Sequence, residues 1–259
     1  MNIKNMLLTT AAVTLMVSAA HARDFTGSLF LPNKGELLSN TQIDWSRAKV
    51  RHMKAEKNFG LSEELTYGLT DNFSVYGGVL NAFNFDRLTS RQYNNEHNFA
   101  YEVGAKYNYS YDNLLTQIGL GYFTFQPRSW IGHHIGGVKV DDGWYKELQF
   151  EAQVGYDMGN GLVPYAMFTL DSPIDQSDRV IDYSVFGGVH KTLDRVALDG
   201  GLRYDFVTHG NNTNQLYLQG EADYFLTDSV ALGVHGDYMV GGSTYQHDMT
   251  LGAQVKVLF

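Results

Sequence analysis

From residue 42 onward the chain repeats one pattern, in which apolar and polar side chains alternate over roughly ten residues before a polar connection intervenes. In the final segment Met249, Leu251, Ala253, Val255, Val257 and Phe259 share one face, and Asp248, Thr250, Gln254 and Lys256 share the other. The segment before the last two reads Leu216, Leu218, Ala222, Tyr224 and Leu226 against Gln219, Glu221 and Asp223. The one before that reads Val196, Leu198, Leu202, Tyr204 and Phe206 against Asp199, Arg203 and Asp205. Successive side chains of a strand point to opposite faces, so a period of two with one apolar face is a strand signal. Tight turns rich in Asp, Asn and Gly fall at Thr70-Asp71-Asn72, Tyr111-Asp112-Asn113, Met158-Gly159-Asn160-Gly161, Thr192-Leu193-Asp194 and Thr227-Asp228-Ser229. Longer polar loops near 86–97, 126–143, 171–179, 208–214 and 241–246 alternate with them, and a further reversal lies near 54–58. The chain is thereby divided into about twelve strands, over 42–53, 59–69, 73–85, 97–110, 114–125, 145–157, 162–170, 179–191, 195–207, 215–226, 229–240 and 246–259.

An even strand count, with short and long connections alternating and both ends on the short-turn side, fits an all-β, antiparallel up-and-down barrel of the transmembrane kind. No apolar stretch after residue 22 is long enough for a membrane-crossing helix. A membrane protein with this profile is a closed barrel, because lipid tolerates only helices and barrels. The structural rival is a secreted β-sandwich, which shows the same alternation turned inside out. The placement of aromatics decides against it. Tyr67, Phe73, Tyr109, Tyr156, Tyr224 and Phe259 lie near the short turns, and Phe99, Tyr101, Tyr122, Tyr183, Phe206 and Tyr238 lie toward the long loops. Two belts are what two membrane interfaces select, and a sandwich core has no cause to sort rings this way.

The start of the chain has a different character. Lys4 precedes an apolar run from Met6 to Ala20, and Ala20-His21-Ala22 presents small residues at the positions a signal peptidase reads. The expected organisation is a signal peptide over 1–22, an N-terminal periplasmic segment over 23–41 that could cap one end, and a barrel domain over 42–259. There is no cysteine, so neither disulfides nor thiol chemistry is available. The formal net charge of −9 argues against nucleic acid, which needs a basic surface.

The leader, the alternating last strand and the terminal Phe259 together resemble bacterial outer-membrane β-barrel proteins, with porin-like architecture and no specific subfamily. That resemblance implies residence in the outer membrane among lipids and lipopolysaccharide. It also implies that the C-terminal strand, ending in Phe259, is read by the barrel-assembly machinery.

If the apolar face meets lipid, the polar face encloses the interior. Its acids are then Glu64, Glu102, Glu147, Glu151, Asp182, Asp199, Asp205, Glu221, Asp223, Asp237 and Asp248, and its bases Lys106, Arg203 and Lys256. Arg47, Lys49 and Arg51 alternate and must share a face. Facing lipid at the midplane would cost about 2–4 kcal/mol each, so this ladder is expected to point inward, opposite the acidic wall carrying Glu147, Glu151 and Asp182. The expected function is a porin-like channel for small polar or cationic solutes, with no cofactor and no metal. Paired charges that plug the interior are the competing state. A barrel enzyme of lipase, lipid A deacylase or protease type is a second class, with His209, His247, Asp248 and Asp205 as rim candidates; a closed structural or adhesive barrel is a third. The loop 126–143, with Trp130, His133 and His134, could narrow the mouth, but adjacent histidines alone do not fix a metal geometry.

Overall fold

A computed structural model describes residues 24–50, 56–87, 92–126, 128–133, 137–141, 145–174, 181–208, 213–242 and 245–259. Its strands in chain order are β1 (Leu37–Val50), β2 (Glu56–Thr70), β3 (Phe73–Arg87), β4 (Gln92–Tyr111), β5 (Leu114–Gln126), β6 (Arg128–His133), β7 (Gly137–Asp141), β8 (Tyr145–Tyr156), β9 (Leu162–Pro173), β10 (Ile181–Leu193), β11 (Val196–Thr208), β12 (Thr213–Thr227), β13 (Val230–Gly242) and β14 (Tyr245–Leu258). Twelve of them, all but β6 and β7, form an antiparallel ring in which each strand pairs with its neighbours, β5 with β8 across the intervening hairpin. The ring closes between β1 and β14, from Leu38 opposite Leu258 to Lys49 opposite His247. Phe259 completes the seam, exchanging backbone hydrogen bonds of 3.0 and 2.8 Å with Leu37. Closure removes both sheet edges, so every ladder group finds a partner without water.

The short turns form where their chemistry allows. Asp112 and Asp194 take φ values of 51° and 50° in two of them, a left-handed backbone that Asp tolerates better than most residues. All the short turns gather at one end and all the long connections at the other. β6 and β7 form a hairpin at the long-connection end, with β6 paired to the extension of β4 from Gln92↔His133 to Glu96↔Ser129. The segment 128–141 therefore continues the barrel wall at this end.

The outer face is apolar and exposed: Leu120 is 63% accessible, Val234 60%, Leu251 54% and Leu218 52%. In a sandwich these residues would form the core. An exposed apolar surface of this extent, continuous around a closed ring, is a lipid-facing surface. Exposed aromatic residues rim it at both ends. Tyr67, Tyr109, Tyr156 and Tyr224 sit toward the short turns, and Tyr101 and Tyr238 toward the long connections. There too Tyr183 stacks on Phe206 at 4.9 Å. The inner face carries the polar alternates, among them Gln117, Gln153, Asp223, Gln254 and Lys256, all buried inside the ring.

β1 begins at Leu37, five positions before the expected start, because Ser39, Asn40 and Thr41 are polar on both faces and hide the periodicity. The preceding residues enter the barrel. Phe25, Leu31 and Pro32 are buried, and the Phe25 ring packs edge-on against Phe225 at 5.5 Å between centroids. A Cβ on Gly68 would lie 2.0 Å from the Asn33 carbonyl oxygen, so the chain passes β2 at a separation only glycine permits.

Candidate lumen and its N-terminal cap

Residues 24–33 form a cap inside the short-turn end of the barrel, held by two charged clusters. In the first, Asp24 meets His190 of β10, Oδ2 to Nε2 at 2.7 Å, and accepts from the Thr192 hydroxyl. Its other oxygen accepts from the Thr26 backbone N–H at 3.0 Å and the Thr26 hydroxyl at 2.7 Å. Burial alone would raise the Asp24 pKa, but the bonds from His190, Thr192 and Thr26 outweigh it and hold the carboxyl well below the usual carboxylate range. His190 Nδ1 lies 3.3 Å from Asp199, which also accepts from the Tyr165 hydroxyl at 2.7 Å. In the second cluster the Lys256 ammonium donates to Glu221 at 2.5 Å, to Asp223 at 3.1 Å and to the Thr26 carbonyl at 3.2 Å. Gln254 donates to the second oxygen of Asp223 at 3.0 Å. From β4, Asn108 donates to the Leu29 carbonyl at 3.0 Å.

The cap does not fill the barrel. A cavity of about 350 Å³ lies on its inner side, bounded by Phe25, Leu31, Glu64, Lys106, Glu221 and Asp237 among others. A second, of about 360 Å³, lies toward the short turns beside Leu115, Asp157, His190 and Thr192. The two share Gly27, Ser28, Phe30 and Tyr165, which separate them. A third of about 300 Å³ continues along Asp44, Glu64 and Glu102, and a fourth of about 150 Å³ along Glu151 and Asp171. Two large rings leave this space open by lying flat on the wall. Tyr76 covers Gly104 and Gly121, where added Cβ atoms would fall 2.4 Å from it, and Phe186 covers Gly188 and Gly201.

Strand register places Glu64, Glu102, Lys106, Glu147, Glu151, Asp182, Asp199, Arg203, Asp205, Glu221, Asp223, Asp237, Asp248 and Lys256 on the inner face. They separate into different surroundings. Lys106 approaches Glu151 at 3.7 Å, Arg203 pairs with Asp205 at 3.0 Å and lies over the Tyr217 ring, and Tyr217 donates to Asp248 at 2.8 Å. Glu147 and Asp182 lie toward the long-connection end, joined there by Asp171, which opposes Asp182 directly.

Arg47 and Lys49 are the exception and correct the expected inward ladder. They share the parity of Ile43 and Trp45, which are exposed on the outer face, while Asn40, Gln42 and Asp44 point inward. The alternation of β1 pairs without a break up to Lys49. The midplane cost does not apply, because both residues lie beyond Trp45 near the strand's far end, where charge facing outward costs only about 0–1 kcal/mol. Arg47 and Lys49 therefore contribute no transverse field to the lumen. Arg51 lies outside the described residues.

No family model matches the chain, and no curated protein matches it. Solved structures do. The COG4313 outer membrane channel from Pseudomonas putida F1 superposes with a TM-score of 0.64 at 11% identity, covering 90% of this chain and 98% of that one. The β domain of the Bordetella autotransporter Brka gives 0.59 at 13% identity, over 88% and 100%. The transport unit of the autotransporter AIDA-I from Escherichia coli gives 0.58 at 14%, over 97% and 96%. The chain has the fold of the bacterial outer-membrane β-barrels.

Of the rim candidates, His247, Asp248 and Asp205 lie among the described residues. His247 is exposed on the outer face and Asp248 points inward, so the two cannot face one another. His209 and His134 lie outside the described residues, and His133 is placed only by its backbone pairing with Gln92. Among the described residues no group of three or more His, Asp or Glu is arranged to hold a metal. Sequence reasoning missed Asp171, assigned to a loop, and the Asp44–His235 pair at 2.7 Å. It also missed Glu63, which points outward and accepts hydrogen bonds from Ser39, at 2.6 Å, and Thr41. His190 was findable, since it alternates in phase with Asp182; its partner Asp24, 166 residues away, was not.

Proposed function

We propose that the protein is an outer-membrane channel for small polar or cationic solutes, with residues 24–33 guarding its periplasmic mouth. Short turns mark the periplasmic side of such barrels and long connections the outside. The supporting observation is the run of cavities along the inner face, which continues on both sides of the cap with Gly27, Ser28, Phe30 and Tyr165 between them. With Arg47 and Lys49 outside, the lumen wall is more acidic than the alternation alone suggests. Carboxylates at Glu147, Asp171 and Asp182 gather on three adjacent strands of the inner face toward the long connections, where their shared charge concentrates cations and repels anions.

The test is electrical. Purified, folded protein in a planar bilayer should give discrete conductance steps, with a reversal potential in a potassium chloride gradient that marks cation preference. The triple variant Glu147→Gln, Asp171→Asn, Asp182→Asn should move that potential toward zero. Silent bilayers containing folded protein would discard the channel in favour of a closed structural barrel.

A further inference from the structure

The outer wall of β1, β2 and β14 carries a basic cluster that the channel does not use. Arg47 sits directly opposite Lys57 of β2, and Lys49 directly opposite His247 of β14. Arg47, Lys57 and His247 are exposed, and all four share the outer face. Among the described residues no carboxylate on this face neutralises them. Like charges directly opposed across strands, as Arg47 and Lys57 are, destabilise a sheet, and an anion lying between them would relieve that repulsion.

What lies beneath fixes the kind of anion. Trp45 opposes Phe59 on one side and Leu251 on the other, and all three are exposed on the same face. Arg47 follows Trp45 by two residues, roughly 7 Å further along the strand toward the long connections. A ligand seated here meets an apolar and aromatic floor in the lipid zone and positive charge at its upper boundary. Guanidinium and ammonium groups together match phosphate oxygens.

We infer that Arg47, Lys49, Lys57 and His247 form a binding site on the outer wall for a phosphorylated acyl glycolipid of the outer leaflet. Its phosphates bridge the basic pairs and its acyl chains lie over Trp45, Phe59 and Leu251. This rests on the outer-membrane placement proposed above but not on conduction, so a silent channel leaves it standing. Bound lipid holds together the strands at the barrel seam, where β1 meets β14.

The experiment uses full-length folded protein in neutral detergent, with folding verified by heat-dependent gel mobility. Bisphosphorylated hexa-acyl lipid A, its fully dephosphorylated form and phosphatidylglycerol are titrated separately, and bound lipid is counted by native mass spectrometry. The variant Arg47→Gln, Lys49→Gln, Lys57→Gln should lose at least about tenfold in affinity for bisphosphorylated lipid A. The charge-matched control Lys34→Gln, Lys191→Gln, Arg195→Gln, at the short-turn end, should bind as the parent does. Parent affinity should also fall as salt is raised, a readout that needs no variant. Equal affinity of parent and triple variant would overturn the site. So would equal parent affinity for the dephosphorylated lipid or for phosphatidylglycerol, or indifference to salt.

Discussion

Replacing Phe25 by alanine together with Asp24 by asparagine should release the cap from the lumen. Phe25 is 1% exposed and packs on Phe225, and truncating a ring so completely buried costs about 3–5 kcal/mol. The Asp24 carboxylate bonds His190 and Thr192 of the wall, charge-assisted contacts worth about 1.5–3 kcal/mol together at the low end, because the side chain is still 24% exposed. Loss of some 4–5 kcal/mol shifts the ratio of docked to released cap by roughly a thousandfold. The barrel wall is untouched by either change. The absence of cysteine from the chain allows a single nitroxide at Ser28→Cys to report on the segment. The parent should give an immobilised spectrum, and the double variant a mobile one together with larger conductance steps. An immobilised spectrum and unchanged conductance in the double variant would show that these contacts do not hold the cap.

Acidification tests the same contact from another side. A carboxyl whose folded pKa is depressed contributes stability that is complete above its ordinary value of 3.8 and is lost as pH falls toward the folded one. The Asp24 contribution should therefore be unchanged between pH 7 and pH 5 and fade only below about pH 4, followed by the Ser28 nitroxide. Lys256→Met should destabilise the barrel by about 3–5 kcal/mol in urea unfolding, since it strands Glu221 and Asp223 inside the wall, and adding Glu221→Gln and Asp223→Asn should recover most of that loss. Glu63→Gln should raise stability by about 1 kcal/mol in the same assay, because it removes a carboxylate from the lipid face while keeping an acceptor for Ser39.

The ring of twelve strands was legible because turn chemistry and a period of two recur together, and a closed barrel allows no other use of an apolar outer face. From 145 to 259 the expected and observed strand limits differ by three residues at most. Legibility failed where alternation is blunted or where depth matters. Ser39-Asn40-Thr41 gave no contrast between faces, so the start of β1 was hidden. Arg47 and Lys49 were assigned inward from a cost that holds only at the midplane; their true depth depends on the register that places Trp45 beneath them. The Lys256 cluster was half visible. Periodicity put Glu221, Asp223 and Lys256 on the inner face, but not at one height, and it did not bring Thr26 of the cap within 3.2 Å. Contacts between residues 24–33 and the wall leave no periodic trace at all.

The inner face divides into two zones by how its acids are partnered. Around the cap each of these acids has a base beside it: Lys256 serves Glu221 and Asp223, His190 serves Asp24 and Asp199, and, further along the wall, His235 serves Asp44. Such contacts hold a segment in place and offset part of its negative field. Toward the long connections Glu147, Asp171 and Asp182 sit on three adjacent strands, with no described basic side chain in ion-pair range. Acids without a described partner repel one another, so they cost stability and create field. Spending the bases of β1 on the outer wall makes this asymmetry possible, because Arg47 and Lys49 inside would have neutralised the acids across the lumen. The proposed cation channel accounts for this difference: acids beside bases anchor the cap, and acids without described bases supply the field at the long-connection end.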